Sequence, residues 1–409
     1  MTRENRSRST RLPTPIRTSG SQKSPIKPEA EARPPPPNHN AKQRPVSNSR
    51  REKTHLLDDS TQQQIMRRTS QIALLVISVI ALLFLPCTTA ARHLKTKPID
   101  ATNTQHLELP QGLFGPESVA FDGHGAGPYV SVSDGTVLKW GGEGVGWKTF
   151  AYSPSYTKNN CNATSELPDV ATESSCGRPL GLRFHRESGF LYIADAYMGL
   201  MRVGPSGGQA TVLATEAGGA PLLFTNGVDV DQVTGDVYFT DSSATYTRAQ
   251  HQQVTTSGDS TGRIMKYDPK ANQVTVLQSG VTYPNGIAIS ADRTHLVVAL
   301  TGPCKLLKVW IQGPKVGTSE PFADLPGYPD NIRPDEKGGY WVALHREKYE
   351  LSFGKDNHLV AIRIGANGEK LQEMRGPKDV RPTEVVEREG GKIYLGSVEL
   401  SYIGIVKSN

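Results

Sequence analysis

The sequence predicts an all-β protein, a six-bladed β-propeller closed by an N-terminal strand. Three observations carry that expectation: one turn-and-strand unit recurs six times, a spare strand precedes the first unit, and the composition favours turns. The 409 residues include 40 Gly and 29 Pro, with an aromatic fraction of 7%. So many chain-punctuating residues exclude an all-helical bundle.

The unit openings, in order, are Gly115-Pro-Glu-Ser-Val-Ala-Phe121, Arg178-Pro-Leu-Gly-Leu-Arg-Phe184, Thr225-Asn-Gly-Val-Asp229, Pro284-Asn-Gly-Ile-Ala-Ile289, Pro329-Asp-Asn-Ile-Arg333 and Pro382-Thr-Glu-Val-Val386. Each leads into an apolar strand and then a Gly turn. Second strands rich in Val, Ile, Tyr and Phe follow at 128–133, 190–194, 236–240, 295–299, 339–343 and 392–396. Third strands fall at 135–140, 199–203, 263–267, 305–311, 359–364 and 403–407. Units of about four strands, roughly 45–65 residues apart, fit a propeller. The last unit stops after its third strand, and the spare strand at 106–109 completes it. Two stacked sandwiches would account for neither the like-spaced openings nor that strand.

The front of the chain divides differently. Residues 1–65 carry 13 Lys/Arg against 6 Asp/Glu, with Pro34 to Pro37 and little apolar material. Such a segment cannot bury enough surface to offset chain entropy, and is expected to be a disordered basic tail. Residues 66–91 then show a basic start at Arg67 and Arg68, an apolar run over 72–85, and a small-residue exit ending at Ala91. This is the pattern of a secretory signal peptide or, uncleaved, of a signal anchor. Either places a propeller of residues 92–409 in the lumen of the secretory pathway, in the endoplasmic reticulum, vacuole or extracellular space. The membrane is met only through 72–91, if that segment stays uncleaved.

Residues 92–409 hold 31 Lys/Arg against 34 Asp/Glu. A fold with this mildly acidic balance lacks the basic face of a nucleic-acid binder, so no nucleic-acid partner is expected. A small molecule is, with the protein acting as a monomer. Cys161 and Cys176 flank one polar loop and are expected to form a disulfide, while Cys304 is left as a buried thiol. Asn162-Ala-Thr164 in the same loop is a glycosylation sequon.

In a propeller the first strand of each blade runs nearest the axis, so the openings converge at one mouth. The equivalent positions read Glu117, Leu180, Asn226, Asn285, Asp330-Asn331 and Glu384. Clustered carboxylates repel and raise each other's pKa, and a divalent cation removes that conflict. Carboxylates plus amide carbonyls, without Cys or His, form a hard oxygen shell suited to Ca²⁺. The expected ligands are Glu117, Asn226, Asn285, Asp330 and Asn331. Asp330 and Glu384 are candidate catalytic carboxylates, and His345 a candidate pocket residue.

Several motifs resemble the strictosidine synthase-like proteins: Cys176-Gly-Arg-Pro-Leu-Gly-Leu-Arg183, Leu191-Tyr-Ile-Ala-Asp-Ala-Tyr197, Gly235-Asp-Val-Tyr-Phe-Thr-Asp241, Gly262-Arg-Ile-Met-Lys-Tyr-Asp268 and Tyr283-Pro-Asn-Gly286. The likeness spans 105–409 and implies a six-bladed propeller. It is similar, more distantly, to the paraoxonases and gluconolactonases, which are calcium-dependent ester and lactone hydrolases. Against strictosidine synthase itself, Glu384 looks like the catalytic Glu, but Thr383 replaces the aromatic residue before it. Asn226 stands where the synthase has Tyr, and the synthase lacks acids or amides matching Glu117, Asn285 and Asp330. Leu180 occupies the place of a paraoxonase catalytic His. The resemblance therefore implies a calcium-dependent hydrolase of small esters or lactones. The alternatives are a strictosidine synthase-type amine–aldehyde condensing enzyme with Glu384 as base, and a non-enzymatic binding propeller.

Overall fold

The computed structural model describes residues 61, 63–64, 66–72, 96–161, 170–349 and 357–407. Two units are distinguished, 1–90 and 91–409. In the first, residues 66–72 are helical. Residues 1–60, 62 and 65 of the expected disordered tail, 73–91 of the signal or anchor segment, and Asn162 lie outside the described residues; Thr61, Gln63 and Gln64 at the end of the expected tail are helical.

In the second unit, six antiparallel sheets follow one another along the chain. Blade 1 runs Val119–Ala120, Tyr129–Ser131, Thr136–Trp140 and Trp147–Tyr152. Blade 2 runs Pro179–Phe184, Leu191–Asp195, Gly199–Val203 and Thr211–Ala214. Blade 3 is Thr225–Val230, Val237–Asp241, Gly262–Asp268 and Gln273–Val281, and blade 4 is Pro284–Ile289, His295–Leu300, Lys305–Trp310 and Ser319–Asp324. Blade 5 is Gly327–Pro334, Tyr340–Glu347, His358–Ile364 and Lys370–Gly376. Blade 6 takes Glu384–Arg388, Lys392–Gly396 and Tyr402–Lys407 from the end of the chain. Its fourth strand is Gln105–Glu108, pairing antiparallel with Tyr402–Lys407. This is the expected closure, one residue earlier than the sequence places it.

Burial explains why the strands differ. Innermost strands such as Thr225–Val230 and Pro284–Ile289 are buried throughout, because neighbouring blades cover both faces. The outer strand Gln273–Val281 mixes exposed and half-buried positions, as solvent requires. The core is six apolar layers between successive blades: Tyr129 against Leu182, Leu200 against Phe239, Ile264 against Ile287, Val297 against Val342, Val360 against Val385, and Ile403 against Val130 mark one layer each.

Two edge pairings were not legible in the sequence. Ile99–Asp100 adds a parallel strand to the edge of blade 5, and Gly208–Gln209 does the same on blade 1. Segments from elsewhere in the chain thereby cover edges that would otherwise offer free backbone groups.

Candidate functional site

In blades 2 to 5 the openings form strands, not turns, and local backbone irregularity aims their side chains, whereas Glu117 precedes the first strand of blade 1. The register slips in the first hairpin of blades 2, 3, 4 and 5, between Pro179 and Gly181, Thr225 and Val228, Pro284 and Ile287, and Pro329 and Ile332. Such bulges re-aim one residue out of the pleat. The residues held there are Leu180, Asn226, Asn285 and the Asp330–Asn331 pair.

The following glycines let the inner strands close up. A Cβ on Gly227 would lie 2.4 Å from the Asn285 carbonyl oxygen, and one on Gly286 2.6 Å from that of Asp330. The Asn-Gly pairs thus draw adjacent blades together at the ring rather than reverse the chain.

Glu117, Asn226, Asn285 and Asn331 are each 3% exposed or less. Their hydrogen-bonding donors are spent sideways. Asn226 Nδ2 donates to Ser242 Oγ at 3.0 Å, Asn285 Nδ2 to Thr301 Oγ1 at 3.1 Å, and Asn331 Nδ2 to Glu117 Oε1 at 3.1 Å. Ser242 and Thr301 are fixed in turn by donating to the carbonyls of Pro284 and Pro329 in the next blade. Left over, buried and without a hydrogen-bond partner, are Glu117 Oε2, Asn226 Oδ1, Asn285 Oδ1 and Asn331 Oδ1. Stranded buried acceptors are costly, and these four come from blades 1, 3, 4 and 5.

Asp330 adds charge beside them. Burial, then the nearby Glu384 carboxylate, push its pKa up to about 7 against an opposing hydrogen bond from Asn285. Burial also raises Glu117 well above the carboxylate range, reinforced by the charges of Asp330 and Glu384. The donor set of two carboxylates and three amide oxygens fits a hard cation such as Ca²⁺. Among the described residues, no group of three or more His, Cys, Asp or Glu side chains is gathered for a metal; here the amides make up the set.

Glu384 behaves differently. It sits in regular register, opposite Gly396, with no bulge to turn it into the ring. Arg333 Nε donates to both its oxygens at 3.0 Å, and Arg333 Nη2 and Ser118 Oγ donate to Oε2. Both Glu384 oxygens are therefore engaged in a fully buried ion pair, an arrangement that does not suit the free base expected from the sequence. His345 lies one strand out from the ring, on Tyr340–Glu347. Its Nδ1 is buried and unpartnered, and burial, aided by Arg381 and Arg346, lowers its pKa to about 4. No hydrogen bond joins it to the ring among the described residues.

The sequence reading missed Ser118, Arg333 and Arg178. Arg333 follows Asn331 by two, the spacing that returns a strand to one face, and this was the available signal. Arg178 is 1% exposed, spans to Gly115 O at 3.0 Å and pairs with Glu173. Glu173 also receives Arg248 Nη1 at 2.8 Å. The helix Val170–Cys176 that carries Glu173 is fastened by the Cys161–Cys176 disulfide. Cys304 is buried and free, as expected.

A cavity of about 690 Å³ opens elsewhere, between the far ends of the inner strands of blades 1, 2, 5 and 6, lined in part by Phe121, Arg183, Arg333, Asp335 and Arg388.

Fold and site together define a six-bladed propeller with an oxygen-lined axial centre. A strictosidine synthase family model matches residues 226–314, and a strictosidine synthase-like N-terminal model matches 102–140. Strictosidine synthase-like protein 10 of Arabidopsis thaliana is 42% identical over 323 residues, covering 72% of this chain and 85% of that protein. Protein 3 of the same set is 39% identical over 321 residues, covering 71% and 82%. The chain belongs to the strictosidine synthase-like family. Among solved structures, a putative gluconolactonase superposes with a TM-score of 0.51 at 14% identity, covering 76% of this chain and 94% of that one. Regucalcin, a calcium-binding protein from Agrobacterium tumefaciens, gives 0.50 at 15%, covering 76% and 95%. These likenesses establish the shared fold.

Proposed function

We propose that the chain is a calcium-dependent hydrolase of small esters or lactones that works as a monomer in the secretory pathway. The observation that carries this reading is the set of four stranded side-chain oxygens on four blades around one axis, with the Asp330 carboxylate beside them. Glu117, Asn226, Asn285, Asp330 and Asn331 would hold the ion. When bound, Ca²⁺ supplies positive charge that polarises a substrate carbonyl and stabilises developing oxyanion charge. Asp330 accepts the proton of the attacking water. Glu384 and Arg333 hold the inner wall of the ring from below, and Leu180 offers an apolar side to the substrate.

The disulfide supports an oxidising compartment. Among the described residues, no helix is long and apolar enough to cross a membrane. The family membership keeps the condensing reaction in view as the alternative, but that reaction needs a free base, and Glu384 is engaged by Arg333 and Ser118.

The test is a panel of aryl esters, alkyl esters and lactones given to the full chain with added Ca²⁺ or with chelator. Turnover lost on chelation and restored by Ca²⁺ is expected. Amine–aldehyde condensation that persists in chelator would overturn the reading, as would inertness towards the whole ester and lactone panel.

A further inference from the structure

A seventh apolar cluster lies outside the six interblade layers, at the ring end of the axis. It gathers Leu180, Ala196, Phe224, Val254 and Tyr283. Leu180 is itself a ring position, Phe224 stands two residues before Asn226, and Tyr283 two before Asn285. The Phe224 and Tyr283 rings are 6.0 Å apart. This cluster is an apolar wall beside the stranded oxygens.

Tyr283 is unusual within it. Its φ is 45°, a left-handed conformation that a bulky aromatic residue avoids. Strain of this kind persists where the surroundings fix a side chain for use. Thr301 N donates to its carbonyl at 3.1 Å, and its ring is only 7% exposed. Two other buried tyrosines engage their hydroxyls, Tyr129 donating to Asp122 at 3.0 Å and Tyr267 to Asn272 at 2.9 Å, while Tyr192, Tyr238 and Tyr340 are buried with no hydroxyl hydrogen bond among the described residues. The Tyr283 hydroxyl has no hydrogen-bond partner among the described residues, and it is not one of the sealed, stranded atoms. The charged groups acting on it are Asp330 and Arg248, the carboxylate at the ring and a guanidinium anchored on Glu173.

We propose that the Tyr283 hydroxyl is a catalytic hydrogen-bond donor to the leaving oxygen of the ester or lactone, a role that rests on the hydrolase reading above. The water oxygen bonds to the acyl carbon as one water proton passes to Asp330 and the carbonyl π pair moves onto the carbonyl oxygen. That pair then re-forms the carbonyl as the acyl carbon–leaving oxygen bond breaks, the bond's electron pair going to the leaving oxygen, which Tyr283 holds by hydrogen bond. That oxygen takes the proton back from Asp330. One water is consumed, and acid and alcohol are formed.

The test compares wild type with Tyr283→Phe, as full chains, on alkyl esters and on p-nitrophenyl esters of the same acid. A hydrogen bond matters most where the leaving oxygen carries most charge, so kcat on alkyl esters is expected to fall about 10–100-fold. On p-nitrophenyl esters, whose leaving group departs unaided, the fall is expected to be under about threefold, and KM is expected to hold within about twofold for both. The variant keeps the ring, so its melting temperature and its stabilisation by Ca²⁺ are expected to match wild type, which separates a chemical role from a structural one. Equal losses on both ester classes, or no loss, would overturn the Tyr283 role while leaving the hydrolase reading intact. A lowered melt with lost Ca²⁺ response would make Tyr283 a structural residue and also overturn the role. Wild type without Ca²⁺-dependent turnover of either class would overturn both.

Discussion

Two tiers of buried charge lie along the axis, and they are built to opposite rules. In the tier around Glu384, the carboxylate is matched by Arg333 and Ser118, and both its oxygens are engaged. In the ring tier, Glu117, Asn226, Asn285 and Asn331 each keep one side-chain oxygen with no partner. Burial is equal in the two tiers, so burial does not explain the difference. A satisfied buried pair holds the fold, whereas a coordinated set of unsatisfied acceptors is held ready for something from outside the chain.

The largest effect should come from breaking the satisfied tier. Arg333→Met leaves Glu384 buried without its cation, and should cost about 3–5 kcal/mol in denaturant unfolding, with or without Ca²⁺. Near-normal stability in this variant would erase the distinction between the tiers.

Removing the metal should touch only the ring tier. Chelation of the wild type should lower stability by about 2.7 kcal/mol relative to calcium at 100 times its dissociation constant, and melting temperature should fall in step. Asp330→Ala should lose that calcium response and ester turnover together. Melts of both proteins, with Ca²⁺ and with chelator, check this.

Gly227→Ala sharpens how the ring is closed. Its Cβ would sit 2.4 Å from Asn285 O, backbone that cannot rotate away, so a loss of about 1–3 kcal/mol is expected. Calcium affinity should fall with it, because the two strands that separate carry ligands. Unchanged affinity measured by calorimetry would show that ring spacing is not set here.

The smallest change is the most discriminating in sign. Glu117→Gln removes a carboxylate that burial and its neighbours already disfavour. The chelated protein should gain up to about 1 kcal/mol, while the calcium-loaded protein should be less stable than wild type. Glu384→Gln should destabilise both forms. The same sign for both substitutions in chelator would merge the two tiers into one.

The blade order, the closing strand and the ring positions were legible from residue patterns, because a repeat at like spacing and apolar strands bounded by turn residues are local properties. Even the Cys161–Cys176 pairing followed from two cysteines bracketing one loop, and the structure has it. The identity of Glu384 as an engaged residue was not legible. Glu117, Asp330 and Glu384 look alike as carboxylates at strand openings; a bulge sets Asp330 apart from Glu384, and Glu117, ahead of the first strand of blade 1, is set apart by its partner Asn331. Blades 2 to 5 slip register at the opening and turn their residue inward, while blade 6 keeps regular pairing from Glu384 to Gly396.

By itself, then, the sequence determined a closed ring of six blades and which oxygen-bearing side chains stand at its axis, since apolar strand runs and turn residues act over a few neighbours. The tertiary structure alone decided which oxygens were spent and which were stranded. Arg333 reaches Glu384 across 51 positions, and Ser118 reaches it across 266. Asn331 meets Glu117 across 214. Partners so distant in the chain are assigned by closure of the ring, which brings the first and last blades together, and no local pattern records that choice.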